Sequence, residues 1–159
     1  GYAINGTKKV VDFLRKKKEK INFCIVGEPT NPKRLGEMIK IGRRGSLSGS
    51  IEIFGTQGHI AYPHLSNNPI SAMIKVCGDL KKKPLDYGNK NFQPSNLEFT
   101  SINVDNKAHN VIPSSIKALF NIRYNTFHTA GSLQKKIRST IAKICKKKKC
   151  KFKVSFIPN

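Results

Sequence analysis

The order in which hydrophobic periodicity changes along the chain restricts it to few folds. Leu47, Ile51 and Ile53 fall on one face of a strand over about Ser46–Phe54. Ile70, Met73, Ile74 and Cys77 then recur at helical spacing, with Asn68 as N-cap and Pro69 at the first helical position. Leu97–Val104 alternates again and slips near Ser101, which predicts a bulge. Ile116, Ala118, Phe120, Ile122 and Tyr124 alternate cleanly. Leu133, Ile137, Ile141 and Ile144 return to helical spacing, and Phe152–Phe156 reads as a last strand. This order, β-α-β-β-α-β, predicts an α+β fold: a ferredoxin-like unit with a four-stranded antiparallel sheet and two helices on one face. The other face and the sheet edges are left open, and an edge can pair with a second copy.

The first 42 residues read differently. Val10, Val11 and Leu14 have helical spacing, closed by the cations Arg15–Lys18. Ile21–Val26 is a nearly all-apolar run of strand length, which suits a strand covered on both faces of a parallel sheet. Glu37–Ile41 reads as a further short strand. One helix and one strand do not cover each other, so this stretch, which starts at Gly1 without Met, reads as the inside of a larger fold. Glu28 follows the apolar run directly. That is where α/β enzymes place ligands and catalytic groups, although a solvated turn glutamate fits the position equally well.

Composition narrows the function classes. The net charge of +21 invites a nucleic-acid reading, but it comes from 24 Lys and only 6 Arg, alongside 18 Ile and 14 Asn. Base and phosphate recognition favours the bidentate arginine fork, and this mix fits a compositionally biased genome. The lysine runs (Lys16–Lys18, Lys81–Lys83, Lys146–Lys149) fall at expected helix ends, where they complement the dipole and stay solvated. No nucleic-acid partner is expected. No apolar run approaches the roughly 18 residues of a membrane span, no secretory signal is visible, and no membrane partner is expected. Four cysteines without a C-x-x-C pair suit a reducing cytoplasm. Cys24 and Cys77 read as core thiols; Cys145 and Cys150 flank a lysine run that would lower the pKa of an exposed thiol.

The polar stretch Gly55–Pro69, GTQGHIAYPHLSNNP, joins the first strand to the first helix of the βαββαβ unit. Its glycines permit positive φ or a close approach of backbone to another surface. Tyr62 and Asn68 each precede proline and are biased toward extended geometry. A loop stiffened in this way presents His59 in a fixed direction, as a proton donor or oxyanion-stabilising group requires. His64, in the same loop, reads as structural.

Several strings agree with one family. VGEPT (26–30), GRRGS (42–46), GTQGHIAYPHLSNNP (55–69), HNVIP (109–113) and FNIRY (120–124) resemble the succinyl-diaminopimelate desuccinylases. These belong to the dinuclear zinc aminoacylase and carboxypeptidase superfamily. The likeness covers nearly the whole chain, and GRRGS together with QGHxAYPHLxxNP is its most particular part. It implies a zinc-binding α/β catalytic domain into which a ferredoxin-like lid and dimerisation domain is inserted. Residues 1–42 would be the C-terminal part of the first catalytic segment and 43–159 the lid, so that the chain is an internal fragment, inactive alone. The implied chemistry uses two zinc ions, replaceable by cobalt, to activate water against a succinylated amino-acid amide in a cytoplasmic homodimer.

The resemblance also implies roles. Glu28 would be a ligand to one zinc. His59 would reach into the partner's active site and stabilise the tetrahedral oxyanion. Arg43 and Arg123 would hold substrate carboxylates, while Tyr62, His109 and Asn110 would line the same cleft. Read from the residues alone, Arg123 is also a plain surface-strand residue and Asn110 a turn cap. Close relatives often carry asparagine where His109 stands. Two other readings stay open: another amidohydrolase of the superfamily, such as an acetylornithine deacetylase, and a basic nucleic-acid-binding βαββαβ module.

Overall fold

The computed structural model describes residues 6–25, 27, 31–40 and 42–157. The chain forms two compact units that divide between Arg43 and Arg44. In the first unit, α1 spans Thr7–Lys16, as its periodicity predicts, and ends on Arg15 and Lys16. It buries none of its residues. The expected strands do not form here: the described parts of Ile21–Val26 and Glu37–Ile41 carry no ladder. Ile25 is 90% exposed, and Phe23 and Ile39 are also open to solvent. A strand is held by its neighbours, and among the described residues nothing pairs with these apolar runs. Cys24, expected in a core, is exposed for the same reason.

The second unit contains β1 (Gly45–Phe54), β2 (Gly58–His59), α2 (Pro69–Lys81), β3 (Asn96–Asn103), β4 (Val111–Ile112), β5 (Ser115–Tyr124), α3 (Ala130–Lys147) and β6 (Lys151–Ile157). Its main sheet has the order β3-β5-β1-β6, with every neighbouring pair antiparallel. Both helices pack on one face, α2 over β1, β3 and β5, α3 over β1 and β6. This is the ferredoxin-like βαββαβ arrangement. The register of β3 on β5 shifts between Phe99 and Ser101, the bulge that the broken alternation predicts.

One contiguous core lies between sheet and helices. Its strand side is built from alternate residues, including Ile51, Ile53, Ala118 and Ile122. Phe120 lies over Gly49, its partner in the β1–β5 ladder, and meets Phe99 and Phe156 edge-on at 6.4 and 6.1 Å between ring centroids. A Cβ at Gly49 would come within 2.6 Å of the Phe120 ring, so the small residue makes room for the large one. The opposite sheet face is mostly polar, with Phe54, Leu119 and Ile157 partly exposed on it. There Asn121 Nδ2 donates to Ser46 Oγ at 3.2 Å and to Ser48 Oγ at 2.8 Å.

Leu133, Ile137, Ile141 and Ile144 of α3 are buried as their spacing predicts. The stripe on α2 is rotated from the expected one. Pro69, Ala72, Met73, Val76 and Leu80 are buried, while Ile74 is 68% exposed. The two stripes share the i, i+3, i+4, i+7 spacing one residue apart, and Leu80 continues the buried one for a further turn. Asn68 caps α2 by accepting from Ile70 N at 2.9 Å, with Pro69 at the first position. Cys145 is buried at the end of α3. Burial pushes its thiol up to about 11, with the nearby Cys150 adding to the shift. Burial also raises Cys150, against the lowering pull of Lys148. The lysine run therefore does not activate either thiol, because desolvation is the larger effect. Among the described residues no helix is long and apolar enough to cross a membrane.

Candidate functional site

The loop after β1 is braced at three levels. At its base, Gly55 N donates to Ser114 O at 2.8 Å, and Thr56 and Asn67 exchange backbone bonds of 3.0 and 3.2 Å. Asn67 Nδ2 adds a bond to Thr56 Oγ1 at 3.3 Å. In the middle, β2 pairs with β4 through Gly58–Ile112 and His59–Val111. Above this, Ile60 N donates to Asn110 O at 3.0 Å, and a 3₁₀ turn over Pro63–Leu65 returns the chain to α2.

Gly55 does not use positive φ; it is required by proximity. A Cβ there would overlap the Asn67 carbonyl oxygen and approach Pro69 Cδ to 2.7 Å. Gly55→Ala is expected to cost about 1–3 kcal/mol, the usual penalty for forcing atoms into filled space. The check is the denaturant midpoint of the second unit, and an unchanged midpoint would show that the loop yields freely. Asn68 is extended, as a residue before proline should be (φ −74, ψ 110). Tyr62 is bent to ψ 59, because its carbonyl accepts from Leu65 N at 3.0 Å to close the turn.

On this brace three of the sequence-predicted site residues come together. His59 is exposed. Its Nδ1 accepts from Ala61 N at 3.1 Å, and Asn110 Nδ2 is placed 3.3 Å from its Nε2. The Tyr62 ring stands 6.2 Å from the imidazole, tilted by 54°, and is 58% exposed. His64 meets Tyr62 edge-on at 6.4 Å, which makes it a support for the tyrosine. His109 is exposed in the turn ahead of β4. Next to that turn, Asn106 holds the chain through Val111 O (2.8 Å) and Ala108 N (3.1 Å).

Arg123 is not part of this cluster. It lies exposed on β5, in register with Ser46 and Asn96, whereas the His59 loop leaves from the Phe54–Ser115 end of the same ladder. Eight strand steps separate Ser115 from Arg123, roughly 27 Å at about 3.4 Å each. Arg43 ends the first unit. Its neighbour Arg44 holds the start of β3 through Pro94 O at 3.1 Å and Asn96 Oδ1 at 3.4 Å. Glu28 lies outside the described residues.

The Arg123 end of the sheet is organised by a residue that sequence reasoning missed. Asp86, whose side chain is 9% exposed, accepts from Gly88 N (2.8 Å), Asn125 Nδ2 (2.7 Å) and Ser95 N (3.2 Å). His128 Nε2 lies 3.0 Å from its other oxygen. Burial alone would raise this carboxyl, but the bonds from Ser95, Gly88 and Asn125 outweigh it and hold it far below the usual carboxylate range. The Asp-Tyr-Gly turn signal was legible, since Asp86 caps Gly88 two residues on. Asn125 and His128, roughly 40 residues away, left no local mark.

The braced, exposed imidazole thus stands on a small antiparallel sheet with both helices on one side, the arrangement of a dimerisation domain. The chain belongs to the peptidase dimerisation domain family, whose sequence profile matches residues 41–149. Its relatives include the succinyl-diaminopimelate desuccinylase of Pelagibacter ubique, 58% identical over 98% of this chain and 41% of that protein. Another, the succinyl-diaminopimelate desuccinylase of Methylobacterium radiotolerans, is 53% identical over 87% of this chain and 35% of its own length. The chain thus spans about two-fifths of the curated relatives it matches. Among solved structures, an amidase of the hydantoinase/carbamoylase family from Burkholderia multivorans shares the fold with a TM-score of 0.62 at 14% identity. That match covers 72% of this chain and 28% of the amidase.

Proposed function

We propose that this chain is the lid and dimerisation part of a zinc-dependent amidohydrolase. In that enzyme N-succinyl-LL-2,6-diaminopimelate is hydrolysed to succinate and LL-diaminopimelate, in the cytoplasm, for diaminopimelate and lysine biosynthesis. Residues 1–42 are the end of its first catalytic segment and residues 43–159 the lid. Relatives of that name at 50–58% identity over most of the chain support the substrate class. Among the described residues no group of three or more His, Cys, Asp or Glu side chains fits a metal ion. The zinc ions, or cobalt in their place, belong to other segments of the enzyme, with Glu28 as one ligand. When bound they supply a hydroxide nucleophile near neutral pH.

The side chains of this chain then bind and stabilise. His59 donates a hydrogen bond to the oxygen that becomes negative in the tetrahedral intermediate. Tyr62, His109 and Asn110 line that side of the cleft. Arg43 and Arg123 pair with the substrate's carboxylates through their planar forks.

The observation that carries this reading is that the His59 loop leaves from the Phe54–Ser115 end of the β1–β5 ladder while Arg123 stands eight strand steps away at its other end. Two-fold pairing of edge strands reverses one sheet against the other, so the His59 end of one copy faces the Arg123 end of its partner. The edge suited to such pairing is β3. Its single charge, Glu98, is already bonded to Lys81 Nζ at 2.7 Å, and Ile102 is 55% exposed. The β6 edge carries Lys151 and Lys153 beside the run Lys146–Lys149, and a twin laid against it would oppose like charges.

Mixing two inactive forms of the complete enzyme tests the arrangement. Subunits carrying His59→Ala and subunits carrying Glu28→Ala are expected to regain activity as mixed dimers, because one site then holds both groups. Continued inactivity in demonstrated heterodimers would rule out delivery across the interface.

A further inference from the structure

We propose that the loop fixes His59 in one tautomer, with its proton on Nε2, and that Asn110 is the positioning residue that holds this proton through its side-chain oxygen. The inference rests on the reading of His59 as an oxyanion donor and specifies which nitrogen does the donating. It starts from the bond of 3.1 Å between Ala61 N and His59 Nδ1. A backbone amide carries a proton and offers no lone pair, so it acts here only as a donor. Nδ1 must therefore present its lone pair, and the single proton of the neutral ring lies on Nε2. A ring protonated at both nitrogens would set Nδ1–H against Ala61 N–H, donor against donor.

The same logic orients Asn110. Its side-chain amide stands 3.3 Å from Nε2. With Nδ2 turned toward the ring, two donors would face each other; with Oδ1 turned inward, Nε2–H has its acceptor. The two orientations occupy the same space, and the hydrogen-bond pattern selects between them. Asn110 is already tied to this loop, because its backbone oxygen accepts from Ile60 N at 3.0 Å. The side chain thus starts in register with the imidazole. Neutral His59 then has no free lone pair on Nε2. It serves as a donor that exchanges Asn110 Oδ1 for a more negative oxygen, and it does not take a proton from water through that nitrogen.

Long-range proton–nitrogen correlation spectra of the chain labelled with ¹⁵N-histidine test this at alkaline pH, where imidazoles are uncharged. His59 is assigned by the signal lost in His59→Gln, and His109, exposed in its turn, serves as the internal comparison. Nδ1 of His59 is expected to show the unprotonated pattern and Nε2 the protonated one, with a wider separation than in His109. The Nε2–H proton is expected to exchange with water about fivefold to tenfold faster in Asn110→Leu, and to stay protected in Asn110→Asp, which keeps an acceptor. A proton on Nδ1, or an averaged pattern like that of His109, would overturn the tautomer. Unchanged exchange in Asn110→Leu would remove Asn110 from the role. These signals report the ring without turnover, so failure of the desuccinylase reading would appear in substrate assays and leave them untouched.

Discussion

Asp86→Ala is expected to destabilise the second unit by about 2–4 kcal/mol at neutral pH, because it removes the acceptor that several part-buried donors share. The substitution removes the carboxylate on which Gly88 N, Ser95 N and Asn125 Nδ2 converge, and only Asn125 Nδ2 keeps a second acceptor, Gln93 O at 3.2 Å. A buried donor left without a partner costs about 1–3 kcal/mol, so the effect exceeds that of a single lost bond. The cluster also joins the segment before β3 to the segment after β5, and its loss should loosen both. Denaturant unfolding at neutral pH reads the change; a loss below about 1 kcal/mol would mean that water replaces the carboxylate.

The pH dependence has a definite sign. Asp86 has a folded-state pKa below its unfolded value, so its contribution is complete above about pH 4, near the ordinary aspartate value. It is lost progressively as the pH falls toward the folded-state value. Asp86→Asn should therefore be less stable than the native chain at pH 7, with the gap narrowing in acid. A gap of constant size down to pH 3 would contradict the depressed carboxyl.

The second large effect is on catalysis. In the complete enzyme, His59→Ala is expected to lower kcat by about 10²–10³, or about 2.7–4 kcal/mol, as removal of one oxyanion donor does. Because the interaction belongs to the transition state, kcat and kcat/KM should fall together while metal content stays the same. The exposed ring has no core contact to lose, so stability should change little. That separates this variant from Gly55→Ala, which disturbs the loop that carries the ring. Near-normal turnover would reduce His59 to a loop residue.

Wherever local signals agreed, the fold was legible from the sequence. The alternation of Ile116–Tyr124, the stripe Leu133–Ile144 and the Asn68-Pro69 helix start each combine periodicity with a cap or a clean boundary, and each formed as read. The slip near Ser101 was visible because a bulge breaks a two-residue period. Periodicity misplaced Ile74 because two stripes one residue apart fit the same helical spacing, and the larger Ile74 outranked the small Ala72 that the structure buries. The apolar run at Ile21–Val26 carries a strand's composition, but composition supplies no neighbours. In the site, His59, Tyr62 and Asn110 were legible through family strings, and the structure brings them together. The Asp86 cluster was not, because its bonds join residues far apart in the chain and depend on the packing of two loops.

The crosslinks between Thr56 and Asn67, with the β2–β4 pair above them, have a thermodynamic consequence for association. A flexible arm would lose conformational freedom on entering another subunit, at about 0.5–1.5 kcal/mol for each side chain immobilised. Here that ordering is completed when the domain folds. In the proposed dimer, affinity between copies then depends on the sheet edge, and the imidazole needs no further ordering on arrival.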